Sequence, residues 1–427
     1  MLIEFRFKNF RSFRDETKLS MVASTDKTLP ENKMSLTGFG GRSLVRSAVV
    51  YGANAAGKSN LIAAMQALLA FINTSTDRKI NSPIEITPFL LLAEQNAEPS
   101  EFEITFIDHE KVRYQYGFQV NTKQVVREWL VVYPKGLPQT WFERENNKDG
   151  TPTWYFGRNL KGKNGQLAEL TRPDVLFLSN AARLNHGQLL GVLKWIQKSF
   201  LVIGDSDDNL FFRIYSAFLA KEDKKVQERI RGLLNVADVG ISDFEIREEP
   251  QKEKEPYEEI PVEMRGQTPS LERLSVFMQH TIGSEKSIVF PIEDESRGTQ
   301  RLFALGGPLA DILENGWTLF VDELDASLHP LLVRYLVELF HNSKINPIGA
   351  QLIFNTHDTT LLDGGLFRRD QIWFVEKDRQ GCSHLYPLLD YSPRKDESLA
   401  KGYLLGRYGA IPFLSEPHWG RNAETKT

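Results

Sequence analysis

"SLVRSAVVYGANAAGKSNLIAAMQALLAFI", Ser43 to Ile72, carries an apolar strand into a Gly-rich turn and then into an amphipathic helix. Its centre, "GANAAGKS", Gly52 to Ser59, has the spacing G-x-x-x-x-G-K-[S/T]. That spacing suits phosphate, because glycines let consecutive backbone N–H groups curl around an anion and the helix N-terminus adds a favourable dipole. Lys58 is placed to neutralise charge on β- and γ-phosphates, and Ser59 offers a hydroxyl to Mg²⁺. Gly52, Ala53, Asn54, Ala55, Ala56, Gly57 and Asn60 complete the expected nucleotide cradle. A chance Gly-rich turn would need neither the strand before it nor the helix after it.

Two further stretches extend the site. "TLFVDELDASLHP", Thr318 to Pro330, brings an apolar strand to Asp322, whose carboxylate would hold Mg²⁺ through water. Glu323 follows where it could orient and deprotonate an attacking water. A surface Asp-Glu pair opening a helix is the plainer reading, and the phosphate loop weighs against it. "LIFNTHD", Leu352 to Asp358, ends another apolar strand in Thr356-His357-Asp358. Open α/β sheets hold ligands beyond that edge, so His357 is a candidate partner for the γ-phosphate or the water. These motifs describe a nucleotide hydrolase using ATP or GTP with Mg²⁺.

At 427 residues the chain is too long for one compact core, so two units or a domain with a large insertion are expected. Cys382 is the only cysteine, which excludes an intrachain disulfide and suits a reducing cytosol. No signal-peptide pattern and no run of about eighteen apolar residues is present, so a cytoplasmic protein without membrane association is expected. The net charge of −4 argues against a chain that is basic throughout.

The expected class is α/β. Residues 1–145 form an N-terminal lobe, with "FEITFIDHEKVRYQYGFQV" and "VVREWLVVYP" as antiparallel strands. Residues 146–270 form a mainly helical insertion, its best amphipathic stretches at 187–200 and 224–237. The insertion ends in an acidic, Pro-broken linker, "REEPQKEKEPYEEIPVEM", from Arg247 to Met264. Residues 271–427 form a C-terminal lobe whose short apolar strands, including "SIVFP", read as a buried parallel sheet.

"IEDESRGTQRL", Ile292 to Leu302, sits between the insertion and Asp322. The order of phosphate loop, insertion, Ser-x-Gly-Thr-Gln, Asp-Glu and His resembles the ABC-type ATPase head: a parallel P-loop core with an antiparallel β lobe. Within that class it resembles the RecF and SMC relatives, whose first strand is also followed by an Asn-Phe-Arg-Ser type turn, here "NFRSF", Asn9 to Phe13. The resemblance implies that Ser296, Arg297, Gly298, Thr299 and Gln300 act in trans on a nucleotide held by another copy, and that Asp325 belongs to the D-loop of the same interface. Arg297 departs from the Gly of many transporters, and a helix cap at Ser296 is the plain alternative.

"ESRGTQRLFAL", "FVDELDASLHP", "FNTHD" and "RKDESLAKGYLLGRYGAIPFL" together are similar to the prokaryotic AAA-type ATP-binding proteins of the abortive-infection, RloA-like group, which includes the ATPase subunit of the PARIS system. The resemblance implies a homodimer or larger homo-oligomer of heads in anti-phage defence, controlling a separately encoded nuclease or toxin. The alternative is a RecF/SMC-like repair or chromosome-maintenance ATPase with DNA as partner, for which Lys161, Lys163, Arg172, Arg183, Lys194 and Lys198 form a basic set. A transporter subunit fits the head motifs but neither the insertion nor the tail. Glu376 and Asp378 resemble part of a nuclease metal set, but too little chain follows them for a further α/β domain.

Overall fold

The computed structural model describes residues 1–36, 40–80, 82–91, 98–147, 151–204, 210–237, 240–248, 274–282, 286–394 and 397–412. Most of the acidic tract expected as a linker, and the last residues of the tail motif, lie outside the described residues.

In chain order, β1 (Leu2–Lys8) and β2 (Thr17–Ser20) pair antiparallel, and β3 (Lys33–Ser35) and β4 (Ser43–Val45) form a small hairpin. β5 (Ser47–Gly52) then leads to α1 (Lys58–Thr74). β6 (Ser100–Ile107), β7 (Arg113–Val120), β8 (Val125–Tyr133), β9 (Gln139–Asn146) and β10 (Pro152–Phe156) form a meander that β1 and β2 extend to a seven-stranded antiparallel sheet. Next come α2 (Asn164–Glu169), α3 (Phe177–Arg183), α4 (Gly187–Ser199), β11 (Phe200–Ile203), α5 (Leu210–Glu222) and α6 (Lys224–Val236). β12 (Ile241–Glu248), β13 (Leu274–Ile282) and β14 (Lys286–Pro291) form a separate sheet, and α7 (Arg297–Asn315) follows it. The chain ends with β15 (Thr318–Val321), α8 (Pro330–His341), β16 (Gln351–Asn355), β17 (Ile372–Lys377), β18 (Ser383–Pro387) and α9 (Leu399–Leu404).

The central sheet has the order β11-β15-β16-β5-β17-β18, parallel except for β18. Every residue of β5, β15 and β16 is buried, because both faces of the sheet are covered. Successive residues of β5 serve opposite faces. Ala48 and Val50 join a core with α1, α3, α4 and the antiparallel sheet, while Val49 and Tyr51 join one with α6, α7 and α8. The architecture is therefore α/β, a parallel P-loop core beside an antiparallel β lobe.

Three expectations move. The boundary at 145/146 falls inside the antiparallel sheet, since β10 pairs with β9. The segment read as an insertion also supplies β11 to the central sheet, in parallel pairing with β15. A four-residue apolar run directly after α4 cannot be told from the end of that helix by periodicity. "SIVFP" is not part of the parallel sheet. It forms most of β14, antiparallel to β13, with Ile288 and Phe290 exposed, and lacks the cover that a parallel strand requires.

Candidate nucleotide site

The phosphate loop is fixed by close approach. Gly57 adopts φ 121°, and a Cβ there would lie 2.5 Å from Ser383 Oγ, so a larger residue is excluded on both counts. Ser383 Oγ donates to the Ala56 carbonyl at 2.5 Å and lies 2.8 Å from Ser12 Oγ, to which Asn60 Nδ2 also donates at 2.8 Å. The "NFRSF" turn thus braces the loop and the first turn of α1. Ser59 is exposed at the start of α1, and Asn54 and Ala55 are exposed at the tip of the loop. Lys58 is buried, its Nζ donating to the carbonyls of Gly52 at 2.9 Å and Ala53 at 3.2 Å. Burial pushes the ammonium below its ordinary value against the pull of Glu323, Asp322 and Asp325, so these carboxylates lie within electrostatic reach of the loop.

The carboxylates are held from β16. Asn355 Nδ2 donates to Asp322 Oδ1, and Asn355 Oδ1 accepts the Glu323 N–H at 2.7 Å. Glu323 sits at φ 48°, a left-handed conformation that an ordinary residue keeps only when its surroundings impose it. The imposing groups are Asn355 on one side and Arg301 of α7 on the other, whose Nη2 reaches the carbonyls of Asp322 at 3.3 Å and Glu323 at 3.4 Å. Asp325 Oδ2 accepts the His357 N–H at 3.2 Å, and the His357 side chain is exposed. Lys58, Asp322, Glu323, Asp325 and His357 therefore gather at the C-terminal ends of β5, β15 and β16.

The Ser-Arg-Gly-Thr-Gln turn opens α7. Ser296 Oγ accepts the Thr299 N–H at 3.2 Å, so its hydroxyl does serve as a helix cap. Thr299 is buried, while Gln300 Nε2 donates to the Glu295 carbonyl at 2.9 Å and its Oε1 accepts from Arg213 at 3.1 Å. These two residues hold the turn, and Ser296 and Arg297 are exposed on it. A Cβ on Gly298 would lie 2.7 Å from the Ser327 carbonyl, so the turn packs on the loop that carries Asp325.

Glu376 and Asp378 belong to a different arrangement. Glu376 Oε2 accepts the Ala410 N–H at 3.2 Å and lies 3.1 Å from the Tyr386 hydroxyl. Asp378 Oδ1 caps the Gln380 and Cys382 amides of the β17–β18 turn at 2.8 and 2.9 Å. The tail motif "GRYGAIP" is thus a clip. Tyr403 donates to the Ala410 carbonyl at 3.0 Å, and the rings of Tyr403 and Tyr408 stack on Phe374. Tyr403 also touches Tyr51, the residue before the phosphate loop. Of the basic set, Arg172 is paired with Asp174 and Arg183 with Asp77.

Among the described residues no three His, Cys, Asp or Glu side chains converge as an all-protein metal site. Ser59 and Asp322 match the sparse donor set of a Mg²⁺ that keeps phosphate and water as its other ligands, and the Gly57 turn matches a phosphate cradle. Sequence reading missed Asn355, Arg301, Ser12 and Ser383. The available signal for Asn355 was an amide closing an otherwise apolar strand.

The profile of the AAA_21 family, described as "AAA domain, putative AbiEii toxin, Type IV TA system", matches residues 47–363. No curated protein matches the chain. Similar solved structures include an SmcHead bound to the C-winged helix domain of ScpA, 16% identical over 94% of this chain and 99% of that one, with a TM-score of 0.45. The SMC head domain from Thermotoga maritima is 13% identical over 90% and 98%, TM-score 0.38. The recombination mediator protein RecF-ATPrS is 15% identical over 90% and 98%, TM-score 0.35. Likenesses this distant bear on no functional argument. Among the described residues no helix is long and apolar enough to cross a membrane.

Proposed function

The chain belongs to the AAA_21 family of AAA domains, and from that premise we propose that it binds and hydrolyses ATP with Mg²⁺, in sites that a second copy completes head to head. Mg²⁺, when bound, would supply charge neutralisation for the phosphates. The loop amides of 52–59 cradle the phosphates, Lys58 leaves its own loop carbonyls to meet them, and Ser59 and Asp322 would hold the metal. Glu323 orients the attacking water and takes its proton, and His357 hydrogen-bonds the γ-phosphate side. Ser296, Arg297 and the amides near Gly298 act on the partner's nucleotide, with Asp325 in the interface.

One observation carries this reading: the two oxygen- and nitrogen-bearing ends of Asn355 hold Asp322 and the Glu323 backbone together beside Lys58. Such preorganised electrostatics suits phosphoryl transfer and has no evident structural purpose. The family's toxin–antitoxin description and the tail motif support the finer reading, an ATPase of the abortive-infection group that works in the cytoplasm and controls a separate nuclease or toxin in anti-phage defence. A DNA-clamping reading has less support, since Arg172 and Arg183 of its basic set are engaged by carboxylates of the same chain.

The test is solution mass with Glu323→Gln, which retains nucleotide. Mg-ATP is expected to double the mass, and Arg297→Glu, on an exposed residue that leaves the Ser296 cap intact, is expected to prevent the doubling. A mass independent of ATP in both proteins would overturn ATP-gated pairing.

A further inference from the structure

Away from the nucleotide site, a half-enclosed cleft of about 610 Å³ opens where the β6–β7 and β8–β9 turns meet the β3–β4 hairpin. Among the described residues its wall carries Arg42, Lys111, Arg113 and Lys135 and no acidic side chain. Set against Asp108 and Glu110 of the β6–β7 turn, the four cations still leave a local positive excess in a chain of net charge −4. None of the four side chains has an ion pair or hydrogen bond among the described residues. Elsewhere on the same antiparallel sheet, Arg127 pairs with Glu143 and Arg6 with Glu4 and Glu103. The clustering is also preorganised. Arg113 and Tyr133 are cross-strand partners, and the guanidinium carbon lies 3.7 Å from the centre of the Tyr133 ring, which fixes a planar donor fork at the cleft wall.

We propose that this cleft is a second anion site, which takes a compact ligand bearing two or more phosphates, of nucleotide size, separately from the phosphate loop. The volume falls in the range of roughly 300–1,000 Å³ typical of small-ligand pockets. Four converging cations around one concavity match clustered phosphates. A nucleic-acid strand, with one phosphate about every 3.4 Å, calls instead for cations in a row. The guanidinium covers one face of Tyr133, so the site reads charge ahead of a stacked base. The cleft adjoins β6 and β7, whose Phe106 and Phe118 belong to the same core as α1.

The experiment is calorimetric titration of tripolyphosphate into the full chain carrying Lys58→Ala, which removes the phosphate-loop lysine from the measurement. One saturable site per chain is expected. Combined Arg113→Glu and Lys135→Glu should weaken it at least about tenfold, and Arg42→Glu, from the opposite hairpin, should weaken it independently, with thermal melting confirming that each variant folds. ATP binding equally well would mean that phosphates alone are read, and tighter ATP binding that the nucleoside is read too; both support the site. No saturable binding, or binding untouched by both variants, overturns it. A single-stranded oligonucleotide that binds more tightly than tripolyphosphate through the same residues would assign the cleft to nucleic acid and overturn the compact-ligand proposal.

Discussion

The half-site around the phosphate loop and the half-site around Ser296 are built in opposite ways. The first is turned inward: Lys58 and Asp322 are buried, and Asn355, Arg301 and Ser383 fix the surrounding backbone by hydrogen bonds. The second shows Ser296 and Arg297 to solvent and anchors only the residues behind them, Thr299 and Gln300. One region is finished within the chain. The other offers Ser296 and Arg297, which among the described residues make no side-chain hydrogen bond beyond those of Ser296 with Thr299. They are joined by two short connections, Gly298 against Ser327 and Arg301 onto the Asp322 and Glu323 carbonyls. The helix whose exposed end is proposed to meet a partner is thereby packed on the backbone that carries Glu323.

The sharpest way to break this comparison is complementation. Lys58→Ala alone and Arg297→Glu alone should each lower ATP turnover by about 10²–10³. If the outward half-site works in trans, a mixture of the two restores one intact composite site in each mixed dimer. Equal amounts should then recover between about one quarter of the unmutated rate, where pairing is random, and about one half, where neither variant pairs with itself and only mixed dimers form. Turnover that stays at the level of the separate variants would mean that both half-sites serve the same chain, and the contrast between them would collapse.

A smaller effect tests the inward half. Asn355→Ala removes the amide that holds both Asp322 and the Glu323 backbone, so Glu323 is freed from its left-handed conformation. Turnover should fall by about 10- to 100-fold, as for loss of a group that orients a ligand or catalytic residue. Nucleotide affinity should change far less, because Lys58 and the loop amides are untouched. Equal losses of affinity and turnover would make Asn355 part of the phosphate cradle rather than a positioning residue. Asn355→Asp, which keeps one acceptor but adds charge beside Asp322, should not rescue turnover.

How much of this was legible beforehand follows from how each group is held. The loop, Asp322, Glu323 and His357 were visible as candidates because each motif lies within a few residues and adjoins an apolar strand. The supports could not: Ser12, Asn355 and Ser383 reach their targets from residues far apart in sequence, so no spacing rule finds them. The same holds for β11, whose four residues become a strand only because β15 lies alongside. "NFRSF" and "GRYGAIP" were visible as marks without a mechanism. Their reason is tertiary, the first bracing the loop from in front and the second closing on β17 behind it.

That rear contact gives the smallest expected effect and asks where the inward half ends. Glu376 ties the tail by accepting the Ala410 N–H and approaching Tyr386, and the tail meets the loop strand through the Tyr403–Tyr51 ring contact. Glu376→Ala should lower stability by about 1–2 kcal/mol, the usual loss for partly exposed hydrogen bonds to a charged acceptor, read from the denaturant midpoint. Turnover at low temperature should stay within about twofold, because no group at the carboxylates has moved. A large fall in turnover with stability unchanged would extend the inward half-site through Tyr51 to the tail. Metal-dependent DNA or RNA cleavage by the unmutated chain that Glu376→Ala abolishes would instead make this carboxylate a catalytic residue and remove the clip as its explanation.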